Sequence, residues 1–96
     1  MKQSQQMYII TRITDLSGND RKDGRYPLRI NRRFTFGLGE PMLDCRMSIC
    51  YRPYRNQDYK GTLRTSAVTK IRVEEDQLIV TTENSVYYFT ALQPDF

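Results

Sequence analysis

Apolar and polar residues alternate over residues 25–36 and 42–52, and no stretch of ten residues anywhere has the 3.6-residue period of a helix. That pattern directs the chain toward sheet. Residues 25–36 place Tyr26, Leu28, Ile30, Phe34 and Phe36 on one parity, interrupted by Arg32, and Arg25, Pro27, Arg29, Asn31, Arg33 and Thr35 on the other. Residues 42–52 repeat the alternation, with Leu43, Cys45, Met47, Ile49 and Tyr51 against Asp44, Arg46, Ser48, Cys50 and Arg52. Gly37-Leu38-Gly39-Glu40-Pro41 between them has turn chemistry, so the two segments are expected to be antiparallel neighbours.

The last third reads as a meander. Residues 68–73 are rich in β-branched side chains, and Glu74-Glu75-Asp76 makes a charged turn. Residues 78–82 and 86–90 follow, joined by Glu83-Asn84-Ser85, where Asn84 suits a positive φ. Residues 63–65 form an earlier strand. Apolar parity changes between Leu63 and Val68, which calls for a bulge or break near Ser66-Ala67. Residues 8–13 supply a first strand, and residues 15–24 and 53–61 are polar loops. The expected fold is therefore all-β: a small antiparallel barrel or sandwich of about six strands, SH3-like or OB-like. Closure is favoured because it removes exposed sheet edges. The 96 residues make one domain, with 1–6 a disordered N-terminus, 7–92 the β domain and 93–96 a C-terminal tail.

Composition narrows the chemistry. The chain has no His, which closes Ser-His, Cys-His and imidazole–metal designs, and its two Cys cannot make a four-thiolate zinc site. The close acids Glu74, Glu75 and Asp76 sit in a solvated turn, not a spaced catalytic pair. No catalytic residue, metal or cofactor is expected, and the chain is read as a non-enzyme. Cys45 and Cys50, five apart in one strand, lie on opposite faces roughly 17 Å apart, too far for a disulfide. They are read as reduced thiols, Cys45 in the core. With no apolar run of membrane length and no signal-type stretch, the expected setting is cytoplasmic, without a membrane partner.

Charge carries the functional reading. Fifteen Lys and Arg against eleven Asp and Glu give a net +4. Residues 1–72 hold all fifteen bases and six acids, a net +9, and residues 73–96 hold five acids and no base, a net −5. Such asymmetry suggests an anionic partner. One candidate is the loop bearing Tyr51, Arg52, Tyr54, Arg55, Tyr59 and Lys60, where rings stack on bases and guanidinium groups pair with phosphates. A second is the stripe Arg25, Arg29 and Arg33, about 13 Å between neighbours in a strand, which Arg46 and Arg52 join if the two strands pair. A third is a polar mouth gathering Thr65, Ser66, Asn84 and Ser85. Each has a packing alternative: rings capping the core, a solvated basic face, or a tight Thr-rich hairpin.

Thr65-Ser66-Ala67-Val68, followed by Thr82-Glu83-Asn84-Ser85-Val86-Tyr87, resembles a T-S-x-V … T-x-N-S-x-Y pattern in small β-rich accessory proteins of bacteriophages and mobile elements. The resemblance covers about the last 30 residues, and Thr65, Ser66, Val68, Thr82, Asn84, Ser85 and Tyr87 carry it. It implies an accessory protein and brings no catalytic residue with it.

Two functions follow as expectations. The first is a non-enzymatic binder of an anionic ligand, a nucleotide or nucleic acid. In the phage setting that the resemblance implies, it would act in the host cytoplasm against host defence by sequestering a nucleotide signal. The alternative is a protein-interaction module, either an inhibitor of a host defence enzyme or a phage structural component. Basic charge argues against a DNA mimic, and strand-edge pairing makes a homo-oligomer a further expectation.

Overall fold

Six antiparallel strands form one closed sheet in the computed structural model, which describes residues 6–37, 39–51 and 61–92. They are β1 (Tyr8–Thr14), β2 (Arg33–Phe36), β3 (Arg46–Tyr51), β4 (Thr62–Glu74), β5 (Gln77–Thr82) and β6 (Val86–Ala91). Each strand pairs with the next, and β6 returns to β1 through six residue pairs from Tyr8↔Ala91 to Thr14↔Val86. This order, which the sequence left open, is next-neighbour throughout, whereas an OB-fold follows a Greek key. Residues 1–5 and 93–96 lie outside the described residues. Among those described, no helix is long and apolar enough to cross a membrane.

The inward parity builds the core. Ile10, Phe34, Ile49, Val68, Val80 and Phe89, one from each strand, are fully buried. Phe34 meets Phe89 edge-on at 4.9 Å and Phe36 at 5.1 Å between ring centroids, and Tyr8 lies 5.0 Å from Phe36. Full burial of a ring such as Phe34 contributes about 1.5–3 kcal/mol. Three bulges let the apolar residues reach this core. The register slips at Thr11 on β1, allowing both Ile10 and Ile13 to point inward. It slips again between Arg64 and Ala67 on β4, as the parity change required, and between Val68 and Lys70. The expected separate strands at 63–65 and 68–73 are therefore one 13-residue strand bent at two places. Its first half pairs with β3 and its second with β5.

Two further expectations are corrected. Residues 25–36 are not one strand: Tyr26–Arg29 is a single helical turn, α1, and only Arg33–Phe36 is extended. Pro27 fixes a helical φ at the first turn, where its missing N–H costs nothing, and Asn31 at φ 67 then turns the chain back. Leu28 is consequently 74% exposed instead of inward. Of residues 42–51 only Arg46–Tyr51 is extended, and Arg52 lies outside the described residues. Asp44 at φ 66 breaks the alternation, donates its N–H to Val68 O at 2.8 Å, and leaves Leu43 and Cys45 on the surface. Cys45 is an exposed free thiol, not a core residue, and Cys50 is free and half-buried.

The charged turn stands as expected at Glu75-Asp76, closing Glu74↔Gln77. The β5–β6 turn also stands, but Asn84 does not have positive φ there. Thr82 shapes it instead. Its buried Oγ1 accepts from Asn84 N at 3.3 Å and Ser85 N at 3.2 Å and donates to Ser85 O at 3.2 Å. A side-chain hydroxyl thus satisfies the backbone groups that a positive φ would otherwise have rearranged.

Candidate functional site

β1 and β2 pair at only Tyr8↔Phe34 and Ile9↔Arg33. Backbone bonds Asn31 N to Ile10 O and Ile10 N to Arg32 O extend the contact a little further. Beyond that, the long connection between the two strands covers the gap. It leaves β1 at Thr14, turns on the Asp15 carboxylate, which accepts from Ser17 N and Asn19 N, and returns so that Arg21 N donates to Ile13 O. These backbone donors hold the Asp15 carboxyl below its usual range. The connection then places α1 over the end of the barrel where β5 meets β6, with Tyr26 and Ile30 packed on the core.

An arginine–tyrosine cluster results. Arg21 is its anchor. Nη1 donates to Ser85 Oγ at 3.0 Å and to Asn84 O at 3.2 Å, while Nε and Nη2 fork onto the two Asp23 oxygens at 3.1 and 2.9 Å. The Asp23 contact raises the Arg21 pKa and, from the other side, pulls the Asp23 carboxyl below its usual range. The guanidinium also lies 4.2 Å from the centroid of Tyr26, and that of Arg29 lies 4.8 Å from the same ring. Arg32 sits 4.9 Å from the ring of Tyr51, and the Tyr26 hydroxyl is 3.5 Å from Ser85 Oγ. Below them Tyr87 is buried, and desolvation pushes its hydroxyl up to about 12. Tyr26 and Tyr51 add to that rise, and Arg29 and Arg21 oppose it.

The candidate residues separate accordingly. Arg25 and Arg29 belong to α1 and its flank, and Arg33 opens β2, so the three do not form an evenly spaced strand stripe. Arg46 lies far along β3: the β2–β3 register sets Phe34 against Tyr51, which leaves Arg46 roughly 20 Å from the level of Arg33. Arg52, Tyr54, Arg55, Tyr59 and Lys60 lie outside the described residues. Thr65 is buried, its hydroxyl accepting from Met47 N at 3.2 Å and donating to Ser66 O at 2.7 Å across the β4 bulge. Ser66 Oγ is buried without a hydrogen-bond partner among the described residues. Asn84 offers its carbonyl to Arg21, not its side chain to an open mouth.

Sequence reasoning missed Arg21, Tyr26 and Tyr87 as parts of one cluster. Arg21 and Ser85 are 64 positions apart, and no local signal joins them. A Tyr-Pro pair ending a long polar loop was the available hint that the chain folds back there.

Ion pairing discriminates among the cations. Arg21 is committed to Asp23, Arg12 to Asp20 at 2.6 Å and Arg72 to Glu74 at 3.5 Å. Among the described residues, no carboxylate pairs with Arg25 or Arg29. Nor do three His, Cys, Asp or Glu side chains gather there as metal ligands. The cluster therefore offers cationic hydrogen-bond donors beside aromatic faces, suited to an anion with a planar group. Compared with known proteins, the chain matches no family model, no curated protein sequence and no solved structure.

Proposed function

We propose that this chain is a non-enzymatic binding protein for an anionic ligand carrying a planar base, a nucleotide or a short single-stranded nucleic acid. The carrying observation is Arg29. Its guanidinium is held against the Tyr26 ring, beside Arg25 and within the field of Arg21, without a carboxylate to neutralise it among the described residues. Stacking fixes its plane and lowers the entropy lost when its donors engage a phosphate. A base would stack on the guanidinium plane of Arg29 itself, because Arg21 and Arg29 already cover the Tyr26 ring and Tyr51 and Tyr87 are buried. In the phage setting suggested by the resemblance, the ligand would be a nucleotide signal of host defence, and binding would act by sequestration. The second reading, a protein-interaction module, is favoured by the exposed aliphatic side chains Leu28, Met42, Leu43 and Val73.

The test is titration of the full chain with mononucleotides, cyclic dinucleotides and an oligothymidylate, read by melting temperature and tyrosine fluorescence. Binding that weakens with salt is expected, together with a loss of about tenfold in affinity for Arg29→Ala, whose lost ring contact lowers the melting temperature by only about 5 °C. No melting shift and no salt-dependent binding with any of the three probes would refute the reading.

A further inference from the structure

The end of the barrel opposite α1 carries a second feature that anion binding does not use. The β4–β5 hairpin, the start of β1, the end of β6 and Glu40-Pro41 line an open cavity of about 360 Å³. Its floor is apolar, the half-buried Tyr8, Ile71 and Leu78, with the exposed Val73 on its open side. Its rim is acidic: Glu40, Glu75 and Asp76. Among the described residues none of these three carboxylates is in an ion pair, and Val73 is 73% exposed. Burial and, after it, the Glu40 charge push the Tyr8 hydroxyl up, so the acidic rim is felt at the floor. An apolar floor within a negative rim fits an aliphatic side chain flanked by cations.

The same chain presents such a segment. Leu28 stands out of α1 at 74% exposure, with Arg29 beside it and Arg25 three residues before it, on the same side of the helical turn. Pro27 stiffens the turn, so little order is lost when it docks. We propose that the acidic groove of one copy takes the Arg25–Arg29 turn of a second copy, with Leu28 packing onto the paired side chains of Val73 and Leu78. The two surfaces lie at opposite ends of the barrel, so the contact is heterologous: each copy offers a turn at one end and a groove at the other. The patch is small, which makes the association weak and reversible. It shares Arg25 and Arg29 with the nucleotide reading, but its anchor Leu28 takes no part in the arginine–tyrosine cluster, so the two readings fail separately.

Sedimentation velocity over a wide protein concentration range tests it. At low salt the mean mass rises with concentration beyond a dimer, and high salt suppresses the rise. Leu28→Asp and Val73→Asp, both at exposed positions, each give monomers with unchanged melting temperature. Mixed together they form a 1:1 dimer, because the intact turn of the Val73→Asp chain meets the intact groove of the Leu28→Asp chain. Growth stops there, since the reverse contact sets two new carboxylates face to face. A wild-type chain that stays monomeric, association indifferent to both substitutions, or single variants that fail to complement each other would overturn the proposal.

Discussion

Arg21→Ala separates the structural part of the arginine cluster from the ligand-facing part. The Arg21 side chain is only 21% exposed, and most of its partners are neutral: Asn84 O, Ser85 Oγ and the Tyr26 ring. A hydrogen bond from a charged donor contributes about 1.5–3 kcal/mol, and a partly desolvated cation–π contact about 1 kcal/mol. The two bonds from Nη1, to Asn84 O and Ser85 Oγ, jointly take the lower figure because they share one nitrogen of a partly exposed side chain. Truncation also leaves the hydroxyl of Ser85, which is almost fully buried, with only the long contact to Tyr26. Together these give a loss of about 2–3 kcal/mol, or roughly 10–20 °C in melting temperature for a domain of this size. Asp23 is well exposed, so Asp23→Ala should lower the melting temperature far less. Thermal and urea unfolding of both variants, at low and high salt, is the assay. The Arg21→Ala deficit should persist in high salt because its main partners carry no charge. If the two variants lose equal stability, or the Arg21→Ala deficit vanishes in salt, Arg21 is a surface ion pair and does not fasten the β1–β2 connection to the β5–β6 turn.

Two further expectations concern stability. The Tyr87 hydroxyl is raised to about 12 by burial, so the folded state keeps its proton while the unfolded chain loses it near 10. The contribution is fully present below pH 10 and is lost between about 10 and 12, amounting to about 2–3 kcal/mol. Tyr87→Phe should flatten that alkaline fall in urea unfolding, and an unchanged profile would count against it. Gly37 faces Cys50 so closely that a Cβ there would lie 2.6 Å from Sγ and 3.1 Å from Ser48 Oγ. Gly37→Ala should therefore cost about 1 kcal/mol in unfolding experiments as Cys50 leaves its rotamer. Adding Cys50→Ala should recover most of that loss, and a double variant no more stable than the single one would refute the steric cause.

What the sequence made legible was what nearest neighbours determine. The alternation in β3, β5 and β6 reflects one face against the core, and the parity change between Leu63 and Val68 marked a real bulge because only an extra residue could keep both side chains inward. The failures arose where period two coincided with something else. Tyr26 and Ile30, four apart, can share a face of a helical turn as well as of a strand, and Pro27 with left-handed Asn31 chose the turn. Across Asp44 the apolar parity continued on paper, but one positive φ ended the strand and exposed Cys45. Arg25 and Arg29 were singled out for their charge, but the face assigned to them depended on a strand that is not there. Arg21 could not have been singled out, because the groups it holds, Asn84 and Ser85, come from the far end of the chain.

The net charge of +4 describes neither end of this molecule. The Glu75-Asp76 turn and α1 are separated by at least the length of β5, whose six residues span roughly 17 Å. The Debye length at physiological salt is about 8 Å, so the acidic turn does little to cancel the field of Arg25 and Arg29. A meander forces this separation: successive strands reverse direction, so the turn after β4 and the turn after β5 must lie at opposite ends. Arg21 fastens the cationic connection to the turn after β5, and Glu75 and Asp76 occupy the turn after β4. Among the described residues, strand order thus sets Arg21, Arg25 and Arg29 at one end and Glu40, Glu75 and Asp76 at the other, although Glu83 stays at the cationic end and Arg72 pairs with Glu74 near the acidic one. Each end can engage an oppositely charged partner without first overcoming the charge of the other.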